Sequence, residues 1–223
     1  MNASELIAVV IASYLVGSIP VGYLVGRALR GVDIREQGSG SSGATNALRL
    51  LGKGPFFGIM AIDAFKGYIP VLAVWYIFGA HDLQVASGIA VVLGHDFPIY
   101  IGFRGGRGVA SSFGVCAALA LPLAVGLLAV GLFLLFALRY MSVMSIVTVP
   151  LGALMFLLLA VFNVSDDFTY TKTIFGAFAT AFVLITHLGN IRRLRDGVEP
   201  KFDEVVDGIR SHRRRGPRTT SHV

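Results

Sequence analysis

Arg104, Gly105, Gly106 and Arg107 form a turn between two strongly apolar stretches, so two guanidinium groups and a permissive backbone meet at one point. Such a turn is suited to an anion. Arginine presents a planar fork of donors to phosphate oxygens, and glycine lets backbone N–H groups turn inward. Arginines often flank a membrane span merely to hold it in place, but that role does not explain the glycines. A second segment of the same character carries Gly38, Ser39, Gly40, Ser41, Ser42 and Gly43 ahead of Thr45, Asn46 and Arg49. A flexible linker is the plain alternative for serine and glycine alone. Against it, the run from Ala44 to Arg49 reads as a capped helical turn with an arginine one turn on, and a helix N-terminus beside a guanidinium binds phosphate. The Gly-Lys-Ser/Thr ending of a Walker A loop is absent.

Other polar residues stand out against apolar surroundings. Asp63 and Lys66 lie three residues apart inside an apolar run. Each costs roughly 2.5–3.5 kcal/mol at the centre of an isolated span, so they either neutralise one another or serve a site. Supporting the loop geometry is the role we favour for them. His95, beside Asp96, falls near a span end, where a lone histidine is more often structural than catalytic. Ser145 follows Arg139 at the head of an apolar run, and a small residue there equally suits helix packing. His187 and Asn190 share a helix face at i, i+3. The single cysteine, Cys116, has no partner for a disulfide and no companions for a thiolate metal site, and we expect no metal.

The elements that position these residues are membrane helices. Hydrophobic residues make up 55% and charged residues 14% of the chain, and mean hydropathy is +0.73. These values describe an all-α polytopic membrane bundle. A helix needs about 20 residues to cross the hydrocarbon core, which places spans near 4–26, 54–79, 83–103, 108–121, 122–138, 143–163 and 171–189. About seven crossings result, with 108–121 short enough to be tilted or re-entrant. The first apolar stretch lacks the basic leader of a cleavable signal. All lysines and arginines except Lys66 and Lys172 fall in odd-numbered loops or the tail, taking Lys172 to lie in loop six. The positive-inside rule then puts the N-terminus outside and the C-terminus in the cytoplasm. One membrane domain, 1–202, precedes a basic tail, 203–223, expected to lie on anionic lipid rather than nucleic acid.

Taken together in order, these motifs resemble the bacterial membrane glycerol-3-phosphate acyltransferases that use acyl phosphate as donor. The resemblance rests on Gly17-Ser18-Ile19-Pro20 with Gly22-Tyr23, on Gly38 to Asn46, on Asp63 with Lys66-Gly67, and on Gly94-His95 with Phe97-Pro98. It continues through the arginine turn, Ser142 to Ser145, and His187 to Asn190. It implies acyl transfer to the 1-hydroxyl of glycerol 3-phosphate, giving lysophosphatidic acid and phosphate, the first acylation of phospholipid synthesis at the inner membrane. No cofactor is implied; a soluble enzyme that makes acyl phosphate is implied as a partner. Ser39, Arg49, Arg107, Ser145, His187 and Asn190 match the family's glycerol-3-phosphate site, with Arg107, Ser145, His187 and Asn190 closest to the chemistry. Gly43, Thr45, Asn46 and the Gly105-Gly106 backbone would hold the acyl-phosphate head, and Asp63, Lys66 and His95 would support them. Two departures stand out: the family commonly has Asn-Pro at Ser41-Ser42 and lysine at Arg104 and Arg107. The rival classes are an organophosphate or anion transporter, which would centre its charges at the midplane between repeats, and a lipid-binding scaffold, which needs neither the glycines nor His187 and Asn190.

Overall fold

A computed structural model describes residues 2–165 and 167–205, so most of the basic tail, 206–223, lies outside the described residues. Among the described residues, ten α-helices and two short 3-10 turns lie between Ala3 and Arg195, and there is no strand. Helix α1, Ala3–Gly17, begins at a capping box in which the Asn2 side chain accepts from the Ser4 N–H while Glu5 accepts from the Asn2 N–H. It breaks at Ser18–Pro20 and resumes as α2, Val21–Arg30. Pro20 has no N–H to give to the ladder and stands at the non-helical start of α2, so the hydrogen-bonded run is interrupted there. The first glycine segment leads into α3, Ala44–Leu51, and α4, Lys53–Phe78. Helix α5, His81–Asp96, precedes the arginine turn, and α6, Val109–Leu119, follows it. Helices α7, Leu121–Leu138, and α8, Met141–Val161, form a hairpin; α9, Tyr170–Thr186, runs into α10, Leu188–Arg195.

Among the described residues, five segments are long and apolar enough to cross a membrane, and a sixth is obtained if α9 and α10, bent by 58°, count as one span. The expected span at 108–121 is present only as α6, whose 11 residues reach about 16 Å, against roughly 30 Å for the hydrocarbon core. Helix α6 is held inside the bundle instead. A Cβ on Gly114 would strike the Ala64 carbonyl and one on Gly67 the Ser111 carbonyl, so the α4 and α6 backbones touch where they cross. At the far end, the Lys172 ammonium donates to the Leu119 carbonyl at 3.0 Å and caps α6. Lys172, expected in a loop, therefore sits in the first turn of α9, 2% exposed.

The main apolar core joins Val115, Cys116 and Leu119 of α6 to Phe156 of α8 and Phe175 and Ala179 of α9. Phe133, Phe136 and Ile77 point outward, as lipid-facing side chains do.

Candidate active site

The two glycine segments meet at one end of the bundle. The Ser42 N–H donates to the Gly105 carbonyl at 3.0 Å. Arg35, clamped by Asp33 at 2.7 Å, donates to the carbonyls of Ile101 at 2.6 Å and Arg104 at 3.3 Å. Hydrogen bonding to Arg35 holds the Asp33 carboxyl below its ordinary value of 3.8, so the clamp stays charged at neutral pH.

Asn46 organises the first segment from within. Its amide nitrogen lies within donating distance of the carbonyls of Ile34 (2.7 Å), Gln37 (3.1 Å) and Ser41 (2.8 Å), while its oxygen accepts the Ser39 N–H at 2.9 Å. This side chain is 1% exposed and fully engaged, so it shapes the segment rather than presenting a donor to a ligand. The second segment is tied from below. Gly105 N–H donates to the Asp96 carbonyl at 3.0 Å and Gly106 N–H to the His95 carbonyl at 3.1 Å. This corrects the expectation that the Gly105 and Gly106 amides hold an acyl phosphate. The reason for glycine is steric: a Cβ on Gly106 would collide with the His95 ring. Beyond each segment a helix begins, α3 after Gly43 and α6 after Gly108. Among the described residues, no acceptor meets the Ala44 or Thr45 N–H groups. Ala44 and Thr45 line the same cavity as Val109 and Ala110, so two helix N-termini converge on it.

Beneath the turn, Asp63 pairs with Lys66 at 2.8 Å, and the Lys66 ammonium donates to the Ile19 carbonyl at 3.0 Å. His95 lies between two carboxylates, with Nδ1 at 3.5 Å from Asp63 and Nε2 at 3.7 Å from Asp96. All four side chains are buried, and the Asp63–Lys66 pair offsets part of the cost of removing those two charges from water.

The cavity holds about 400 Å³ and has a polar and an apolar end. At the polar end stand Ser39, Gly43, Thr45, Arg49, Arg107, Ser145, His187 and Asn190; Asp63 and His95 also reach its wall, whereas Gly105, Gly106 and Lys66 do not line it. Arg107 donates to the Asn190 side-chain oxygen at 2.7 Å, the Asn190 amide donates to Glu199 at 2.7 Å, and Arg193 donates to the other Glu199 oxygen at 2.7 Å. Burial lowers the Arg107 pKa from its ordinary value, and Arg193 and Arg49 add to the effect. Burial does the same to Arg49. Arg49 and Arg107 thus share one poorly solvated region, with the more exposed Arg193 at its edge, a field that favours an incoming dianion. Glu199 offsets part of that field. Burial acts to raise its pKa, but hydrogen bonds from Asn190 and Arg193 outweigh burial and hold the carboxyl below 4.5.

His187 sits at the bend between α9 and α10, with Nδ1 2.9 Å from the Val183 carbonyl. A carbonyl only accepts, so Nδ1 carries the proton and Nε2 is left as an acceptor. The Ser145 hydroxyl donates to the Met141 carbonyl at 3.2 Å, leaving its oxygen lone pairs for a ligand. Glu199 and Arg193 were not singled out by the sequence. Nothing in spacing separates Glu199 from Asp196, an exposed acid paired with Arg195. Among the described residues, no group of three or more His, Cys, Asp or Glu side chains is arranged to hold a metal.

A family model described as glycerol-3-phosphate acyltransferase matches residues 7–197. The glycerol-3-phosphate acyltransferase of Gloeobacter violaceus is 38% identical over 92% of this chain and 98% of its own length. That of Parasynechococcus marenigrum is 41% identical over 86% of this chain and 87% of its own. A crystal structure of PlsY, an integral membrane glycerol 3-phosphate acyltransferase in its glycerol 3-phosphate form, superposes with a TM-score of 0.80 at 36% identity. That match covers 88% of this chain and 95% of the other. A lysophosphatidic acid form of PlsY superposes with a TM-score of 0.78. The chain belongs to the glycerol-3-phosphate acyltransferase family and is a multi-pass membrane acyltransferase.

Proposed function

We propose that the protein transfers a fatty acyl group from acyl phosphate to the 1-hydroxyl of glycerol 3-phosphate, releasing lysophosphatidic acid and phosphate. One observation carries this reading: a single cavity joins a cationic end, built for phosphate, to an apolar end, built for an acyl chain. The glycerol 3-phosphate and lysophosphatidic acid forms of the PlsY neighbours support the same acceptor and product. A transporter is not favoured, because the relatives are named as acyltransferases and the arginines gather at one end of the cavity.

In this reading Ser39, Arg49, Arg107, Ser145, His187 and Asn190 hold glycerol 3-phosphate. The acyl-phosphate head lies against Gly43 and Thr45, where the Ala44 and Thr45 N–H groups and the start of α6 replace the Gly105 and Gly106 amides as donors. The glycerol oxygen attacks the acyl carbon, the bond from that carbon to the phosphate oxygen breaks, and phosphate leaves. Donors fixed in advance stabilise the oxyanion between those events. Acyl phosphate is already activated, so no covalent enzyme intermediate is needed. The hydroxyl proton passes to a substrate phosphate, whose second pKa near 6 suits the task, while His187 Nε2 accepts a hydrogen bond that orients the glycerol. Replacing His187 with Ala then raises KM and leaves kcat largely intact; a collapse of kcat would make His187 the base.

The distribution of lysine and arginine supports a site facing the cytoplasm from the inner membrane, with the N-terminus outside; that orientation needs the short α6 together with its flanking turn to complete a seventh crossing beside the six longer ones. A soluble enzyme would deliver the acyl phosphate from that side. The test is purified protein given palmitoyl phosphate or palmitoyl coenzyme A together with glycerol 3-phosphate. Lysophosphatidate and phosphate should form in equal amounts from palmitoyl phosphate alone. Turnover of the thioester instead would overturn the donor assignment.

A further inference from the structure

We infer that Phe156 and Phe175 form a closed floor to the apolar end of the cavity, so that they limit the length of the acyl chain the enzyme accepts. The inference rests on the proposed acyl transfer and assigns its chain-length specificity. The register of two helices carries it. Along α8 the cavity wall runs from Met141 past Ser145 to Phe156; along α9 it begins at Phe175 and ends near the bend at His187. Ser145 to Phe156 is eleven residues and Phe175 to His187 twelve, so each helix separates the polar end from a phenyl ring by about 16–18 Å. Both rings are 2% exposed and belong to the main core. Helix α6 stops at the same depth, since Cys116 is the last of its residues to reach the cavity and Leu119 lies within the core. An acyl chain that runs down α8 and α9 from a head held at Arg107 and Thr45 therefore meets a wall, while the cavity also opens sideways where the exposed Met60 and Leu128 line it. The alternative is a tail that leaves sideways between helices into the bilayer, where no residue senses its length.

Two substitutions move the floor in opposite directions. Phe156→Ala deepens the cavity, and Ala179→Leu fills it partway down, at a buried position on its wall. Full-length enzyme is assayed with decanoyl, dodecanoyl, myristoyl, palmitoyl and stearoyl phosphates, and with the matching thioesters, and kcat/KM is compared between chain lengths within each variant. Ratios within one preparation do not depend on how much of it is folded. Phe156→Ala should raise the stearoyl-to-myristoyl ratio on the order of tenfold, and Ala179→Leu should lower the palmitoyl-to-dodecanoyl ratio by a similar factor. If Phe156→Ala does not fold, Phe156→Leu and Ala179→Leu carry the same comparison. Length profiles that match the wild type in both directions overturn the inference. Should the wild type use thioesters and not acyl phosphates, the donor assignment fails while the shift, read on thioesters, still decides the floor.

Discussion

The two glycine segments look alike in sequence but are rigid for different reasons. The segment at 38–46 is tied through a side chain, because Asn46 reaches three carbonyls and one N–H within its own loop. The turn at 104–108 is tied through its backbone, with Gly105 and Gly106 anchored to the carbonyls that end α5 and the His95 ring packed beneath. The Gly43, Gly105 and Gly106 N–H groups are all engaged within the protein. The glycines let each loop fold tightly enough to aim the helix that follows it, and two helix N-termini reach one cavity as a result.

That difference is open to attack from both sides. Asn46→Asp should have the largest effect. A carboxylate cannot donate to the three carbonyls, and each buried group left unpaired costs about 1–3 kcal/mol. Thermal unfolding should shift well below wild type, and activity should be lost with it; a normal melting temperature would mean the loop does not depend on its side-chain tie. Gly106→Ala should act on catalysis more than on stability, since the new methyl meets His95 and pushes the turn aside. A displacement near 1 Å costs about a hundredfold in rate, so kcat/KM should fall by that order in steady-state assays. Unchanged kinetics would show that the turn yields freely. Arg107→Lys is milder. Lysine keeps the charge but loses the planar fork that can reach Asn190 and a phosphate together, so KM for glycerol 3-phosphate should rise roughly tenfold. The smallest effect concerns the tie between the loops. The Asp33 carboxyl binds its proton less tightly in the fold than in the unfolded chain, because Arg35 holds it low. Its contribution is therefore complete above an ordinary carboxylate value of 3.8 and lost as pH falls through the depressed value. A melting curve followed from neutral to acid pH should fall less steeply for Asp33→Asn than for wild type over that window.

Much of the site was legible in the residues, because arginine, glycine and capped helix starts advertise phosphate chemistry locally. Ser39, Arg49, Arg107, Ser145, His187 and Asn190 do come together around one cavity. What could not be read was direction. Glycine permits many conformations, so the sequence does not say that the Gly105 and Gly106 amides turn toward Asp96 and His95 rather than toward a ligand. Nor does it say that Asn46 faces inward, since its partners are backbone atoms that look identical in every residue. Glu199 was missed for a related reason: its value comes from burial beside Asn190 and Arg193, a tertiary fact. The fold was read well where apolar runs were long. Helix α6 was the exception, since apolarity at 108–121 registers burial and lipid contact alike, and only the crossing at Gly67 and Gly114 shows which is meant.

The central claim is that one phosphate site is built by Arg49, Arg107 and the helix starts that the two glycine segments aim. Its most direct test is an experimental structure of this protein with glycerol 3-phosphate bound. The account predicts the phosphate within hydrogen-bonding distance of the Arg107 and Arg49 guanidinium groups, with the glycerol directed toward His187 and Ser145. A phosphate bound elsewhere, with Arg107 still held only by Asn190, would contradict it.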